Sequence, residues 1–262
     1  MISVTLDQLY GWINALLWPL ARILALLGTA PLFGESGIPV KAKLGLGVLL
    51  TIAVGPALGP MPDIAAGSFA SMWIVAQQVL IGVALGFTMK LAFAAVQTAG
   101  EFIGLQMGLS FASFFDPGTN SSTSVLSRLM NMIAVLVFLA MDGHLLILSG
   151  LVHSFEVLPI TDAQLSRGGL GAVIDWSAQV LILGLVMALP LITALLTMNL
   201  AMGILNRTAP QLSVFAVGFP ISLMAGLLML AIVLPQSSSF FDRLFTYAFE
   251  ALGRVMEGFL PR

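Results

Sequence analysis

Residues 176–206 read WSAQVLILGLVMALPLITALLTMNLAMGILN, a run of 31 residues without an acidic or basic side chain. A helix needs about 20 such residues to cross the hydrocarbon core of a bilayer. Further uncharged runs cover 44–62, 64–89 and 208–241. Backbone polar groups in hydrocarbon must be satisfied within their own segment, and the alternation typical of barrel strands is absent from these runs. The sequence therefore predicts an all-α, membrane-associated fold.

The apolar runs predict about six long helices, several of them kinked. Prolines lie inside the runs, where each removes a backbone donor and bends the helix. The predicted helices cover roughly 9–32, 44–62, 69–98, 125–150, 175–205 and 212–235, and the prolines are Pro19, Pro56, Pro190 and Pro220. Residues 240–260 predict an amphipathic C-terminal helix, because apolar side chains recur on one face opposite the charged ones.

The composition excludes several classes of protein. The chain has 262 residues, of which 59% are hydrophobic, and it carries 10 basic and 12 acidic side chains. A soluble domain carries about 25% charged residues, so a free-standing soluble protein is excluded. The net charge of −2 provides no basic surface for nucleic acid. With no cysteine and two histidines, we expect neither a metal site nor a cofactor.

Pairs of glycines four residues apart are weak indicators of close helix packing here, because 26 glycines produce such pairs by chance. The pairs are Gly55/Gly59, Gly82/Gly86, Gly100/Gly104 and Gly104/Gly108. The consecutive set Gly100-Gly104-Gly108 is more informative, since it places three small residues on one helical face.

Asp142-Gly143-His144, with Ser149 nearby, is the candidate group for acid–base or nucleophilic chemistry. The motifs G-x-S-x-G, H-E-x-x-H and G-x-x-x-x-G-K-[ST] do not occur in the chain. Such residues at the end of an apolar helix more often form a hydrogen-bonded terminus than a catalytic pair. We therefore expect no enzymatic activity, and an intramembrane enzyme is the alternative.

Arg22 lies in the middle of the first apolar run. A charge at mid-membrane depth costs at least about 2.5–3.5 kcal/mol, so it faces a partner, a bundle interior or water by default. A buried subunit contact is favoured for Arg22 over a segment that lies outside lipid. Lys90 and Glu101 present the same alternatives, and Lys90 is also able to extend to an interface.

Residues 107–124, MGLSFASFFDPGTNSSTS, change from apolar and aromatic to polar across the turn Asp116-Pro117-Gly118. Phe111, Phe114 and Phe115 have the spacing i, i+3, i+4, which usually marks one buried face of a helix. Bulky apolar side chains beside a turn are also able to close a pore by excluding water. The residues alone favour the buried face and leave the hydrophobic gate as the alternative.

Ordered motifs along nearly the whole chain resemble the FliR family of type III secretion export-gate components, which has flagellar and injectisome members. The most specific motif is Asn206-Arg207-Thr208-Ala209-Pro210-Gln211-Leu212. The others, in chain order, are Arg22, Pro31, Pro39-Val40-Lys41, Glu101-Phe102-Ile103-Gly104-Leu105-Gln106-Met107-Gly108, Asp116-Pro117, Asp142-Gly143-His144, Pro159, Leu189-Pro190, Val214-Phe215 and Gly218-Phe219-Pro220.

The resemblance implies a core subunit of the flagellar type III protein export gate, in the bacterial inner membrane at the flagellar basal body. Such a subunit is not an enzyme; it contacts membrane lipid, assembles with FliP and FliQ, and is joined by FlhB. The assembled channel passes unfolded exported flagellar proteins. Residues 1–174 resemble a FliP-like helical part, and residues 175–262 resemble a FliQ-like hairpin with an amphipathic tail. The alternatives are a stand-alone small-solute transporter or channel, a passive scaffold, and an injectisome export-gate homologue.

The resemblance also implies roles for individual residues. The loop at about 107–122 would plug the closed pore through Met107, Phe111, Phe114, Phe115, Asp116 and Pro117. Its hinge would be Gly104, Gly108 and Gly118. Subunit contacts would come from Arg22, Lys41, Glu101, Gln106, Asp142 and His144. A cytoplasmic hairpin tip would consist of Asn206, Arg207, Pro210 and Gln211. Positive-inside counting favours that side for the loops containing Lys41 and Arg207, although the arginines of the tail argue against it.

Overall fold

The structure is a computed structural model that describes residues 6–35, 37–59, 61–62, 64–65, 67–109, 124–208 and 218–261. Within these ranges the chain is helical and contains no strand, which confirms the predicted all-α class. The helices are α1 (Leu6–Thr29), α2 (Val40–Val54), α3 (Phe69–Gln106), α4 (Val125–Ala140), α5 (Gly143–Val157), α6 (Gly168–Thr208), α7 (Phe219–Val233) and α8 (Ser238–Phe259). Two 3₁₀ turns, Gly55–Ala57 and Leu234–Ser237, follow α2 and α7.

Several helix boundaries differ from the predicted ones. α3 continues past residue 98 to Gln106, and α6 begins at Gly168, before residue 175. The single helix predicted over 125–150 is the pair α4 and α5, bent by 69° between them. The bend occurs because Asp142 has a φ of 55°, in the left-handed region that interrupts a right-handed helix.

Three helical stretches are long and apolar enough to cross a membrane by length and composition. They are Phe69–Gln106, Gly168–Thr208 and Phe219–Phe259, and the bent pair α4–α5 would add a fourth if it forms one span. α2 has only 15 residues and ends before the 3₁₀ turn that contains Pro56. The membrane-associated fold predicted from the uncharged runs is therefore confirmed at the level of helix length.

The chain divides into two compact units, each built from separate stretches. The first unit contains Met1–Leu91, Met141–Ser177 and Tyr247–Arg262, and the second contains Ala92–Ala140 and Ala178–Thr246. In the first unit, α1 packs closely on α3 at Gly82 and Gly86. A Cβ added at either glycine would contact backbone atoms of α1, so only glycine permits this approach.

The second unit has an aromatic core. The ring of Phe138 lies 5.3 Å from that of Phe93 and 5.0 Å from that of Phe245, centroid to centroid. The same unit also contains a close contact between two helices, in which Gly100 of α3 faces the backbone of Ser127 on α4. The amphipathic helix predicted at the C-terminus is α8, whose apolar side chains are buried while its charged side chains are exposed.

Candidate functional site

Arg22 is fully buried in the first unit and makes five hydrogen bonds within its own chain. Its Nε and Nη2 donate to Gln78 Oε1 of α3, at 2.8 and 2.5 Å. Its Nη1 donates to the carbonyl and the hydroxyl oxygen of Ser154, at 2.8 and 3.2 Å, and Nη2 also donates to Leu158 O at 2.8 Å. The guanidinium has five N–H donors. The partners of Arg22 that the structure shows all lie within its own chain, and the predicted subunit contact stays a prediction.

The surroundings of Arg22 stabilise its charge without a carboxylate. Ser154 lies in the last turn of α5 and Leu158 directly follows that helix, so the cation sits at the negative end of the helix dipole. The ring of Phe155 lies 4.2 Å from the guanidinium carbon and adds a cation–π contact. Arg22 thus holds α1, α3 and the end of α5 together.

Arg22 is the third rung of a polar ladder between α1 and the region around the start of α3. Asn14 donates to Ile64 O at 2.6 Å, and Trp18 Nε1 donates to Ser71 Oγ at 3.3 Å. Asn14, Trp18 and Arg22 are spaced four residues apart, so they lie on one face of α1. This ladder fixes the register in which α1 meets α3.

The end of α3 carries two of the glycines predicted as a hinge. Gly108 has a φ of 79°, and its N–H donates to Leu105 O while the N–H of Leu109 donates to Gly104 O. These two bonds form a Schellman cap, which requires a left-handed residue and so favours glycine at position 108. Gly104 has ordinary space around it, since an added Cβ would lie at least 3.6 Å from its neighbours.

The other predicted contact residues lie mostly at the surface. Lys41 and Glu101 are exposed, and Gln106 is half-buried. Asp142 is exposed at the bend between α4 and α5, and His144 is half-buried with a buried Nδ1 that has no hydrogen-bond partner. The charged side chains of Lys41, Glu101 and Asp142 are thus exposed, whereas that of Arg22 is buried.

The predicted hairpin tip and plug lie largely outside the described residues. Asn206 and Arg207 are in the last turn of α6, where Arg207 is exposed. Met107 is fully buried just beyond the end of α3. The predicted residues outside the described ranges are Phe111, Phe114, Phe115, Asp116, Pro117, Gly118, Pro210 and Gln211.

The candidate catalytic group is not assembled into a buried site. Asp142 and Ser149 are both exposed, and the backbone carbonyl of Asp142 accepts the first bonds of α5, from Leu145 and Leu146. Over the described ranges, no three histidine, aspartate or glutamate side chains group as metal ligands. Asp142 and Gly143 therefore form a helix start, the role that such residues more often have.

Sequence reasoning missed four residues that the structure places at hydrogen bonds between helices. Gln78 and Ser154 bind Arg22, and Asn199 and Ser222 form a polar contact between α6 and α7. Gln78, Asn199 and Ser222 lie inside apolar runs, where a polar side chain must find a partner within the protein. The amides Gln78 and Asn199 were the available signal, but their partners are set by helix packing that spacing does not report.

Among the described residues, α6 and α7 expose a long apolar surface. Only 28% of the most apolar stretch of α6 is buried, against 61% for α3. Leu200 and Met224 are about two-thirds exposed, at 67% and 71%. Other exposed side chains on these helices are Leu181, Ile182, Leu185, Val186, Ile204, Leu228 and Ile232. In water such a surface is unstable, so lipid or another polypeptide must cover it.

Comparisons with known proteins agree with these features. Residues 13–248 match the family "Bacterial export proteins, family 1". The flagellar biosynthetic protein FliR of Escherichia coli (strain K12) is 47% identical over 98% of both chains. FliR of Pectobacterium carotovorum subsp. carotovorum is 46% identical over 98% of both chains. FliR of Buchnera aphidicola subsp. Acyrthosiphon pisum is 36% identical over 93% of this chain and 94% of its own.

The family is one of export proteins, so the chain is a transport component and not an enzyme. The resemblance drawn from the ordered motifs is confirmed, because the match runs through them from end to end. The chain belongs to the FliR-type bacterial export proteins, family 1.

Proposed function

We propose that this chain is a core subunit of the flagellar type III protein export gate, in the inner membrane at the flagellar basal body. With FliP and FliQ it forms a channel for unfolded flagellar proteins, and FlhB joins the assembly. The flagellar rather than the injectisome system is supported by the names of the relatives, which are flagellar biosynthetic proteins. The proposal needs no cofactor and no metal.

The observation that carries the proposal is the exposed apolar surface of α6, in a chain that belongs to a family of export proteins. Leu181 and Ile204 are both exposed, at 64% and 59%. At 1.5 Å per residue they are about 35 Å apart along the helix, and the exposed side chains before Leu181 include the polar Asp175 and Gln179. The hydrocarbon core is about 30 Å thick, so this apolar surface is long enough to lie in a bilayer or against other membrane subunits, as a gate subunit requires.

We further propose that residues 107–122 plug the closed pore, with Gly104, Gly108 and Gly118 as the hinge. Support comes from the place where this segment begins. The cap at Gly108 ends α3 sharply, and the burial of Met107 fixes the last residue before the cap. The phenylalanines of the plug lie beyond that point. A segment that starts from a fixed, buried residue is well suited to return to one closed position.

Subunit contacts in this proposal come from exposed polar groups on an otherwise apolar surface. The exposed charged residues are Lys41, Glu101 and Asp142. Gln106 and His144 are half-buried. Asn206 and Arg207 belong to the tip, which the proposal places in the cytoplasm. The proposed division into a FliP-like part, 1–174, and a FliQ-like part, 175–262, concerns which partner each part resembles, and it is separate from the two compact units.

Replacement of the relative in Escherichia coli tests the proposal. Cells that lack their own FliR and produce this chain with an affinity tag should secrete flagellar subunits into the medium, because the chains match over their full length. The purified tagged chain should carry FliP and FliQ with it in mild detergent. A chain that inserts stably but stays a lone monomer, and restores no secretion, would instead favour a stand-alone transporter or channel.

The plug has its own test in the same cells. Deletion of residues 110–118 should increase ion leak across the inner membrane of cells with an assembled gate, because the aromatic block is removed. A control replaces two exposed side chains between α5 and α6, Asp162→Ala together with Gln164→Ala, and should leave the leak unchanged. An unchanged leak after the deletion, in a gate that still contains FliP and FliQ, would dispose of the plug assignment while leaving the gate subunit in place.

A further inference from the structure

α6 (Gly168–Thr208) and α7 (Phe219–Val233) contact each other through Asn199 and Ser222, and together they are called the α6–α7 hairpin below. The end of α3 depends on this hairpin for its last hydrogen bond. The final carbonyls of a helix have no partner within the helix. Those of Ile103, Gly104 and Leu105 accept from the turn that follows, at 3.0–3.1 Å. The carbonyl of Gln106 instead accepts from Asn199 Nδ2 on α6, at 3.5 Å. Asn199 in turn accepts from Ser222 Oγ on α7, at 3.1 Å, so one amide ties the end of α3 to both helices of the hairpin.

A second contact between the same elements is apolar. The side chain of Met107 fills the space that Gly226 of α7 leaves by having no side chain. A Cβ built at Gly226 would lie 2.5 Å from Met107 Cγ and 2.7 Å from its sulfur. Both residues are buried, and Met107 has no exposed surface. The thioether therefore sits in a notch that any larger residue at position 226 would close.

The polar contact is easily broken and remade, and the buried methionine of the apolar contact is able to repack. The bond to Gln106 is long and joins neutral groups, which makes it weak. Methionine is flexible and polarisable, and it adapts to new surroundings at little cost. Deeper in the same unit, α3 meets α4 through glycine and backbone at Gly100 and Ser127. The hairpin contact thus differs from the fixed packing of the helix interior.

We propose that the α6–α7 hairpin is a releasable latch on the end of α3, and that transport requires its release. Met107 in the Gly226 notch and Asn199 on the Gln106 carbonyl hold the end of α3 in the idle state. The hairpin is then the element whose movement frees that end. Met107, Asn199 and Gly226 are positioning residues in this scheme, which rests on the proposed function as an export-gate subunit.

A reversible cross-link tests the latch in the assembled gate. The chain contains no cysteine, so Met107→Cys together with Gly226→Cys introduces a single pair of thiols. The two positions are close enough for a disulfide. In Escherichia coli that depends on this chain for export, diamide should abolish the secretion of flagellar subunits and keep idle ion leak low, and dithiothreitol should restore secretion.

Matched controls show whether the effect is specific to the latch or follows from any disulfide between α3 and the hairpin. The pair Thr98→Cys and Gly184→Cys joins the interiors of these two helices, where a Cβ at Gly184 would lie 3.0 Å from Thr98 Cβ. A Cβ at Gly184 also lies 2.9 Å from Ala95 O, so the reduced variant sets the reference level, and its oxidation with diamide should not lower secretion below that level. Each single cysteine variant should be insensitive to diamide. Secretion that continues while the disulfide between positions 107 and 226 is fully formed would overturn the latch and leave the export function standing.

A milder variant keeps the test decisive if the cysteine pair does not assemble. Asn199→Ala removes the bond to Gln106 and leaves Met107 in place, so it should raise idle leak without reducing secretion. Ser222→Ala, which only releases one partner of Asn199, should raise the leak less. Equal leak in the wild type and in Asn199→Ala would refute the latch. Failure of the unmodified chain to support any secretion would refute the gate function itself.

Discussion

α3 and the α6–α7 hairpin are both strongly apolar, yet they differ in what covers them. The chain itself buries 61% of the most apolar stretch of α3, but only 28% of that of α6 and 17% of that of Phe219–Phe259. Hydropathy therefore reports that a helix needs an apolar environment, without indicating whether its own chain, lipid or another subunit provides it.

The difference follows from the residues that interrupt each apolar run. On α3, Gln78 meets a buried arginine, and Gly82 and Gly86 let the backbone of α1 approach. On α6 and α7, large side chains such as Leu200 and Met224 point away from the rest of the chain. In these helices, small and polar residues thus lie where the chain packs on itself. Large apolar side chains that the chain leaves exposed lie where lipid or another polypeptide must cover the helix.

The largest effect on the isolated chain should come from Arg22→Leu. Gln78 Oε1 and Leu158 O would lose their donors, and each buried acceptor without a partner costs about 1–3 kcal/mol. The shorter leucine also leaves a cavity. The purified chain in detergent should therefore unfold at a clearly lower temperature, followed by the fluorescence of Trp18, which is buried on the same face of α1.

Arg22→Lys is the matched variant, because its ammonium keeps the charge but lacks the planar fork that reaches three groups at once. Its midpoint should fall between those of the wild type and Arg22→Leu. An Arg22→Leu chain that is as stable as the wild type, but no longer purifies with FliP, would contradict the internal role and favour the subunit contact that the sequence predicted.

Two glycines of α3 should respond to alanine with opposite signs. At Gly86 a Cβ would clash with the hydroxyl of Thr29 and lie 3.0 Å from Leu26 O, both on α1, so Gly86→Ala should destabilise by about 1–3 kcal/mol. At Gly104 the nearest atoms are at least 3.6 Å away, so Gly104→Ala should stabilise by about 0.5–1 kcal/mol through helix propensity. Urea or thermal unfolding in detergent measures both. If both variants change the unfolding free energy equally, the atoms packed around each glycine do not determine the effect of alanine.

The fold class was predictable from charge spacing alone, because uncharged runs longer than about 18 residues have few other uses. The ends of the helices were not predictable to the same degree. The break at Asp142 depends on one left-handed residue inside an apolar run, and the end of α3 depends on Gly108 as a cap. Both are local backbone conformations, which hydropathy averages out.

The site was predictable only in part, since a residue type indicates that a partner is needed and not which one. The sequence predicted a buried subunit contact for Arg22, and the structure shows a buried side chain with partners in its own chain. Its partners Gln78 and Leu158 lie 56 and 136 residues away, and only the packing of α1 against α3 and α5 brings them together. The motif that contains Met107 was recognised without any indication that this side chain fits the notch at Gly226.

A smaller and local effect is expected from Gly108→Ala. The φ of 79° is costly for any residue with a Cβ, by about 1–2 kcal/mol. Gly108→Asn should cost less, because asparagine tolerates the left-handed region. Hydrogen exchange should become faster for the amides of residues 105–109 while the rest of α3 is unchanged. Identical exchange in Gly108→Ala would contradict the cap and with it a distinct role for this glycine in the proposed hinge.

The smallest effect on the isolated chain should come from the exposed face of α6. Leu200→Ala should change the unfolding free energy by less than about 0.5 kcal/mol, because the side chain is 67% exposed. Leu195→Ala on the buried face should cost about 2–5 kcal/mol, since Leu195 has no exposed surface.

The same two variants show whether lipid or another subunit covers the exposed face of the hairpin. If FliP or FliQ packs on this face, Leu200→Ala should reduce their co-purification although the chain itself is unharmed. If lipid covers it, both the stability and the co-purification should match those of the wild type, because hydrocarbon fills the space left by a removed side chain and a packed protein interface does not.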